Sequence, residues 1–406
     1  MNMAHNTPVD RQATKQDFNA LNVAVHRAST VVFETTAAFM SRRSQLFDGF
    51  SYGLYGTPTT RALETTVARI DGGTRAMLLP SGLAAVTHAT LALLTPGDQV
   101  LVADCVYGPT REHCAAMLRR LGIRVDFFAP DASDIRPLMD ERTRLVILES
   151  PGSYSMEIQD IAALCAQAHV GGALVLADNT WGFGNTDLFA HGVDVVSTAL
   201  SKYAGGHSDV CMGSVTVRDE ALFRKLKAFF AALGAGVSSD DAYLVQRGIG
   251  TLDVRLAEHA RRGAAVSHWL REQPGIAAVL NPADPGDSGH ARFQRFFKRG
   301  NGLVSFVPER QDLPALAAMI DGLAHFRIGA SWGGTESLVA LADLSAARSV
   351  RARKSGNFVV RLHVGLEPFD ALLEDLRLGL DRLRSFPAED LQAAATNVGT
   401  ADGRTA

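Results

Sequence analysis

Three side chains near the middle of this chain could handle protons and a carbonyl group. Lys202 lies in STALSKYAGGHSD (197–209), behind an apolar stretch and among Ser201, Gly205 and Gly206, with His207 and Asp209 close by. A lysine in so crowded a setting sheds hydration and with it proton affinity, as an amine must to act as nucleophile or base. The bland alternative is a solvated loop lysine; the small residues and glycines around it argue against that. Asp178 closes the apolar run of LVLADNTW (174–181). A carboxylate there either caps the next turn or holds a cationic ligand group, and taken alone the capping reading is the stronger. Tyr107 follows the apolar run Val100–Ala103, placed to lay its ring over a planar ligand.

Two more segments carry anion chemistry. In LLPSGLAAV (78–86) an apolar run meets a Ser-Gly turn and then a helix start. Free amides at Gly82 and Leu83, with the positive helix terminus, form a seat for a phosphate. Such turns are common, so alone the segment reads better as a plain turn. It is not G-x-G-x-x-G, which counts against a nicotinamide enzyme. Arg361, in FVVRLHVGLE (358–367), points from the end of an apolar strand, where an unpaired cation is expensive. It meets either a structural carboxylate or a substrate's. Phosphate seat, carboxylate, amine, aromatic ring and arginine together match the needs of pyridoxal phosphate acting on an amino acid.

The elements that would position these groups follow from the pattern of apolar residues. From Thr59 onward short apolar runs alternate with amphipathic stretches. The spacing predicts helices over 59–70, 83–94, 109–121 and 158–169, and strands over 76–79, 100–103, 125–128, 145–148 and 174–177. Continuous apolar strands separated by helices predict an α/β fold with a parallel sheet covered on both faces. Ligands then sit beyond the carboxyl ends of the strands, where the residues above fall. After Gly250 a long helix over 252–271 leads into strands at 276–280, 303–307 and 358–362 and helices over 313–325 and 369–383. That mixture predicts a smaller C-terminal α/β domain.

Composition narrows the function class. The chain has 406 residues, 47% of them apolar, with 40 basic against 43 acidic residues and a net charge of −3. No bulk charge favours nucleic acid or an acidic membrane. The best apolar run, Leu83–Leu94, is broken by Thr87, His88 and Thr90 and falls short of the roughly 18 residues of a span. Cys105, Cys114, Cys165 and Cys211 form no C-x-x-C pair, and the 12 histidines show no metal-binding spacing. Cys105 stands closest to the site through Tyr107, with a buried reduced thiol as its expected role. His88 reads as a core residue, and His207 as a loop-ordering one. The expectation is a soluble, cytoplasmic protein without metal.

Six segments make the sequence similar to a known family: RASTVVF (27–33), LESPGSYSMEI (148–158), LADNTW (176–181), SKYAGGHSDVCMG (201–213), SWGGTESL (331–338) and VRLHVGLE (360–367). The chain resembles the pyridoxal-phosphate enzymes of cysteine and methionine metabolism, and among them the cystathionine β-lyases. The resemblance implies fold type I, with an N-terminal arm (1–56) reaching a neighbouring subunit, a large cofactor-binding domain (57–249) and a C-terminal domain (250–406) whose tail frays from about 385. It implies that Lys202 holds pyridoxal 5'-phosphate and then serves as acid and base. Asp178 would pair with the ring nitrogen and Tyr107 would stack on the ring, while Gly82, Leu83 and Ser201 bind phosphate. Arg361, Ser331 and Trp332 would grip the substrate carboxylate. Tyr52 would reach a neighbour's phosphate in a homodimer or homotetramer. The implied reaction is α,β-elimination on a cysteine thioether.

Three departures stand against the family pattern. Relatives usually carry Tyr-x-Arg where this chain has Tyr52-Gly53-Leu54, many have a hydroxyl at the position of Ala199, and β-lyases often have a tyrosine at that of Ala330. Tyr55 and Arg61 are the nearby candidates to replace the missing arginine. The rival readings are a γ-lyase or γ-replacement enzyme, a β-lyase retuned to another cysteine conjugate, and a non-catalytic relative that binds without turnover.

Overall fold

The computed structural model describes residues 20–345, 348–350 and 357–387. The expected frayed tail lies outside the described residues from 388 onward. After a short helix over Thr36–Met40, the first long helix begins where local chemistry demands it. Thr57 and Thr60 cap each other's backbone, and Pro58 occupies the first helical position, where its missing amide costs nothing. The helix Pro58–Asp71 then stops at Gly72, whose φ of 80° suits a residue without a Cβ.

Seven strands follow: β1 (Arg75–Leu79), β2 (Gln99–Ala103), β3 (Arg124–Phe128), β4 (Thr143–Glu149), β5 (Leu174–Asp178), β6 (Val195–Ala199) and β7 (Gly213–Val217). They form one sheet in the order β1-β7-β6-β5-β4-β2-β3. Every residue of β2 and β7 is buried, which explains continuous rather than alternating apolar runs. The sheet is mostly parallel, as the α/β pattern and the family resemblance imply. β7 runs antiparallel between β1 and β6, because the chain returns after the lysine loop instead of crossing over. Two helices, Glu220–Ala232 and Ser239–Ile249, continue from it.

A second sheet, ordered β10-β11-β12-β9-β8, comprises β8 (Ile276–Leu280), β9 (Leu303–Pro308), β10 (Arg327–Ile328), β11 (Leu338–Asp343) and β12 (Phe358–His363). The helix expected over 313–325 ends at Asp321. The Asp375 carboxylate accepts the amides of Ala324, His325 and Phe326 at 2.8, 2.8 and 3.1 Å and turns the chain there. The helix expected over 109–121 widens at His113–Leu118, with one extra residue in the turn.

One helix joins the two sheets. Along Leu252–Arg271, Leu252 and Leu256 pack with Leu63, Val67 and Tyr203, whereas Val266 and Leu270 pack with Phe306 and Val360. At the first of those ends, next to Leu256, lies Arg255, buried and without a carboxylate partner among the described residues. Its guanidinium donates to the carbonyls of Tyr203 (2.8 Å) and Gly248 (2.7 Å) and to Thr251 Oγ1 (3.0 Å). It thereby pins the loop behind Lys202. Arg255→Met takes the donor from the buried Tyr203 carbonyl, whereas Gly248 keeps the Thr251 amide and hydroxyl, so a loss of about 2 kcal/mol is expected. A fall of several degrees in the thermal midpoint would show it, and an unchanged midpoint would refute the anchoring role.

Candidate active site

A cleft of about 550 Å³ opens at the carboxyl edge of the large sheet. Lys202, Tyr107 and Asp178 line it, with Gly82, Leu83 and Ser201 on one side and Arg361, Ser331 and Trp332 on the other. The structure thus brings together nine of the ten residues singled out from sequence. Tyr52 lies elsewhere: it is exposed, its backbone bridges to Thr30, and its ring meets Tyr55 edge-on at 6.2 Å.

Lys202 Nζ donates to Ser331 Oγ at 2.8 Å and sits 5.7 Å from the centre of the Trp332 ring. Burial, reinforced by the positive Arg361, lowers its pKa to about 8, against the opposing pull of Cys211 and Asp178. Gly333 lets the Ser331–Trp332 segment come this close. Its φ is +91°, and a Cβ there would lie 2.7 Å from the Tyr203 nitrogen.

Asp178 and Glu149 end neighbouring strands in direct register. Asp178 Oδ1 accepts the Thr180 amide at 2.9 Å, so the capping reading holds, yet the side chain still faces the cleft. Burial raises its pKa. Glu149 is pushed well above the usual carboxylate range, first by burial and then by Asp178. Its Oε2 accepts the Tyr107 amide at 2.6 Å, fixing the loop that carries that ring. Burial also raises the Tyr107 phenol, which keeps its proton.

Arg361 is 5% exposed. It donates to the carbonyls of Ala330 (3.1 Å) and Ser331 (3.2 Å) and lies 4.4 Å from the centre of the Tyr154 ring. Burial lowers its pKa, and no carboxylate pairs with it among the described residues. The structural salt bridge considered from sequence is therefore not made among the described residues.

At the other end, Ser81 Oγ accepts the Ala84 amide at 3.0 Å and caps the helix Gly82–Leu93, whose first amides face the cleft. A Cβ on Gly82 would stand 2.4 Å from that of Ala199, so the glycine keeps the seat open. The Ser201 hydroxyl gives its proton to the Met212 carbonyl (3.1 Å) and accepts the Met212 amide (2.9 Å), leaving only acceptor capacity toward the cleft. Arg61 does not replace the missing arginine within its own chain. It pairs with Glu64 at 2.7 Å and donates to the Tyr55 carbonyl at 3.2 Å.

Sequence reasoning missed Glu149, Tyr154 and Cys211, all of which line the cleft. Glu149 ends an apolar strand just as Asp178 does, so the same signal was present. Cys105 is a buried free thiol, as expected, and donates to the Glu149 carbonyl at 3.5 Å, while Cys211 is the cysteine that lines the cleft. His88 packs edge-on to Phe230, and His207 Nδ1 bonds the Gly205 carbonyl, as their bland readings implied.

These residues fit pyridoxal phosphate: a low-affinity amine, an amide seat, a buried carboxylate and a ring, all in one cleft. Lys202 must be neutral to attack the cofactor's aldehyde. Uptake by the cofactor-free protein, followed by visible absorbance, should therefore rise with pH through a midpoint of about 8. A midpoint at the ordinary lysine value of about 10.4 would contradict this. Cys211 is exposed and the other three cysteines are buried. Brief iodoacetamide treatment should label Cys211 first, as peptide mass mapping would show.

Comparison with known proteins bears on the same site. Residues 7–381 match the model of the Cys/Met metabolism PLP-dependent enzyme family. A cystathionine beta-lyase of Bordetella avium is 40% identical over 367 residues, covering 89% of this chain and 92% of that protein. An L-alanine/L-glutamate racemase of Wolbachia pipientis wMel is 33% identical over 380 residues, 90% of this chain and 93% of the relative. The solved structure of cystathionine gamma synthase from Xanthomonas oryzae pv. oryzae superposes with a TM-score of 0.82 at 29% identity, covering 91% of this chain and 95% of that one. With fold and family in agreement, the chain belongs to the pyridoxal-phosphate-dependent enzymes of cysteine and methionine metabolism.

Proposed function

We propose that this enzyme is a carbon–sulfur lyase that performs α,β-elimination on an L-cysteine thioether such as L-cystathionine, giving a thiol (homocysteine for cystathionine), pyruvate and ammonia. The observation that carries the reading is Arg361, a buried guanidinium without a carboxylate among the described residues, in the same cleft as a lysine of lowered proton affinity. Such an arginine suits a substrate α-carboxylate, gripped through charge-assisted bonds. The carbonyls of Ala330 and Ser331 fix its direction.

In this reading Lys202 would hold pyridoxal phosphate, with Asp178 toward its ring nitrogen, Tyr107 over its ring and the amides of Gly82 and Leu83 on its phosphate. When bound, the cofactor would supply an electron sink for the pair left at Cα. Lys202 Nζ would take the Cα proton, and Ser331 Oγ holds Nζ toward the substrate side of the cleft. Tyr107 retains its phenolic proton and can give it to the departing sulfur. Asp178 stays close to Lys202 without a direct ion pair, so it stabilises positive charge and does not quench the base.

We further propose that the N-terminal arm brings Tyr52 to the site of a neighbouring copy in a dimer or tetramer. Among the described residues no helix is long and apolar enough to cross a membrane. A γ-elimination reading draws on the likeness to cystathionine gamma synthase and requires a second proton removal, at Cβ.

Purified holoenzyme with L-cystathionine should release pyruvate. Accumulation of 2-oxobutyrate instead would replace β- with γ-elimination. Arg361→Leu should raise KM about a hundredfold, the loss of roughly 3 kcal/mol of charge-assisted binding. A KM within twofold of the parent would remove Arg361 from the substrate site.

A further inference from the structure

We infer that Glu149 is a positioning residue that works in its protonated form: its carbonyl oxygen holds the loop of Tyr107 to the cleft, and its neutrality leaves the negative charge of that sheet edge to Asp178. The inference rests on the cofactor placement proposed above, with Asp178 toward the ring nitrogen and Tyr107 over the ring. It is independent of which bond the enzyme breaks.

The backbone sets two carboxyls side by side. Glu149 and Asp178 close β4 and β5 and are paired in register. Neighbouring strands lie about 4.8 Å apart, and paired side chains leave the same face, so both carboxyls enter the cleft. Two ionised carboxylates at that spacing, away from bulk water, repel strongly enough that one retains its proton. The surrounding donors decide which. Asp178 Oδ1 accepts the Thr180 amide at 2.9 Å, and the Lys202 cation also favours its charge. Glu149 accepts one amide, that of Tyr107, at 2.6 Å. The cation on its side is Arg348, whose guanidinium is taken by the Asp104 carbonyl and the Ser155 hydroxyl, with Glu157 at 3.6 Å. Cys105 and Tyr107, the ionisable neighbours in the loop after β2, are kept protonated by burial. The proton therefore stays on Glu149, which burial first and Asp178 second push well above the usual carboxylate range.

A protonated carboxyl still offers an amide its carbonyl oxygen. The end of β4 thus fastens the loop twice, the Glu149 backbone carbonyl taking the Cys105 thiol and the side chain taking the Tyr107 amide. An ionised Glu149 would instead compete with Asp178 for a cationic ring nitrogen and set a second charge beside the Tyr107 phenol.

Glu149→Gln is the decisive variant, because it keeps the acceptor and cannot ionise. In the infrared spectrum of the holoenzyme at neutral pH, parent minus variant should contain the C=O stretch of a protonated carboxyl. Carboxylate bands in its place would overturn the inference. Linkage supplies a second reading on the cofactor-free protein. A carboxyl that holds its proton more tightly folded than unfolded loses stability as pH rises above its unfolded value of about 4.3, and glutamine is spared that loss. The thermal midpoint of the variant relative to the parent should therefore climb by about two degrees or more between about pH 5 and about pH 8. A difference that stays flat or falls over that range contradicts a protonated Glu149. Both readings stand even where Glu149→Ala does not fold.

For the hold on Tyr107, Glu149→Ala removes the acceptor and should lower kcat for pyruvate release from L-cystathionine about tenfold or more, with Glu149→Gln recovering most of it. Equal losses in the two variants would make the charge, not the acceptor, the working feature and sink the inference. A parent enzyme that releases no pyruvate would count against the lyase reading alone, since the infrared and midpoint readings need no turnover.

Discussion

A guanidinium buried without a counter-charge among the described residues is the constraint around which this structure is arranged. Arg361 lies in β12, the central strand of the smaller sheet, opposite Ser305 on β9 and Ala340 on β11. A strand hydrogen-bonded on both sides cannot swing to let its side chain reach water. The charge therefore stays in the wall, softened by two carbonyls and the face of Tyr154. Its field reaches Lys202 and adds to desolvation in lowering that amine's proton affinity. Two cations sharing a poorly hydrated cleft make each other costlier, and an anionic ligand relieves both at once. Destabilisation of the free site is in this way coupled to binding.

Such a site survives only if its neighbours hold it rigidly, and three contacts from outside the cleft do so. Arg255 pins the backbone behind Lys202 through Tyr203 and Gly248. Gly333 lets the Ser331–Trp332 turn press against the lysine loop. The third contact spans both sheets. The buried Asp104, just past β2, accepts from Arg111 at 2.5 Å and from the amides of Ser349 and Val350 at 2.9 and 3.1 Å. Arg348 completes it by donating to the Asp104 carbonyl and to Ser155. The segment that leaves β11 is thus fastened to the loop of Tyr107 and the loop of Tyr154 together. Both aromatic walls move with the smaller sheet or not at all.

What could be read from the sequence follows from which forces are local. The strand Ile276–Leu280 and the helix Leu252–Arg271 match their expected bounds, because apolar spacing and flanking breakers decide them. The residues after the carboxyl ends of the strands converge because parallel topology leaves them one edge to share. The misses have distant causes. The antiparallel course of β7 depends on pairing with β1, more than a hundred residues earlier. The early end of the helix Leu313–Asp321 depends on Asp375, far along the chain. Tyr154 gave no signal at all: nothing in LESPGSYSMEI shows a left-handed backbone at that residue or a ring laid over Arg361.

The same division separates the chemistry that is common to the family from the chemistry that is particular. An amine of lowered pKa, a carboxylate beside it and an arginine for the substrate suffice to labilise a Cα proton. Relatives named as a beta-lyase, a racemase and a gamma synthase share this chain's sequence or fold, so that machinery does not by itself choose the outcome. The choice falls to whichever bond is held in line with the electron sink while the carbanion persists, and to what the departing group finds around it. In the proposed lyase, Lys202 and Arg361 would fix the amino-acid end of the substrate. The remaining freedom is rotation about Cα–Cβ, and the surfaces that restrict it are Tyr107 on one side and Tyr154, Ala330 and Trp332 on the other.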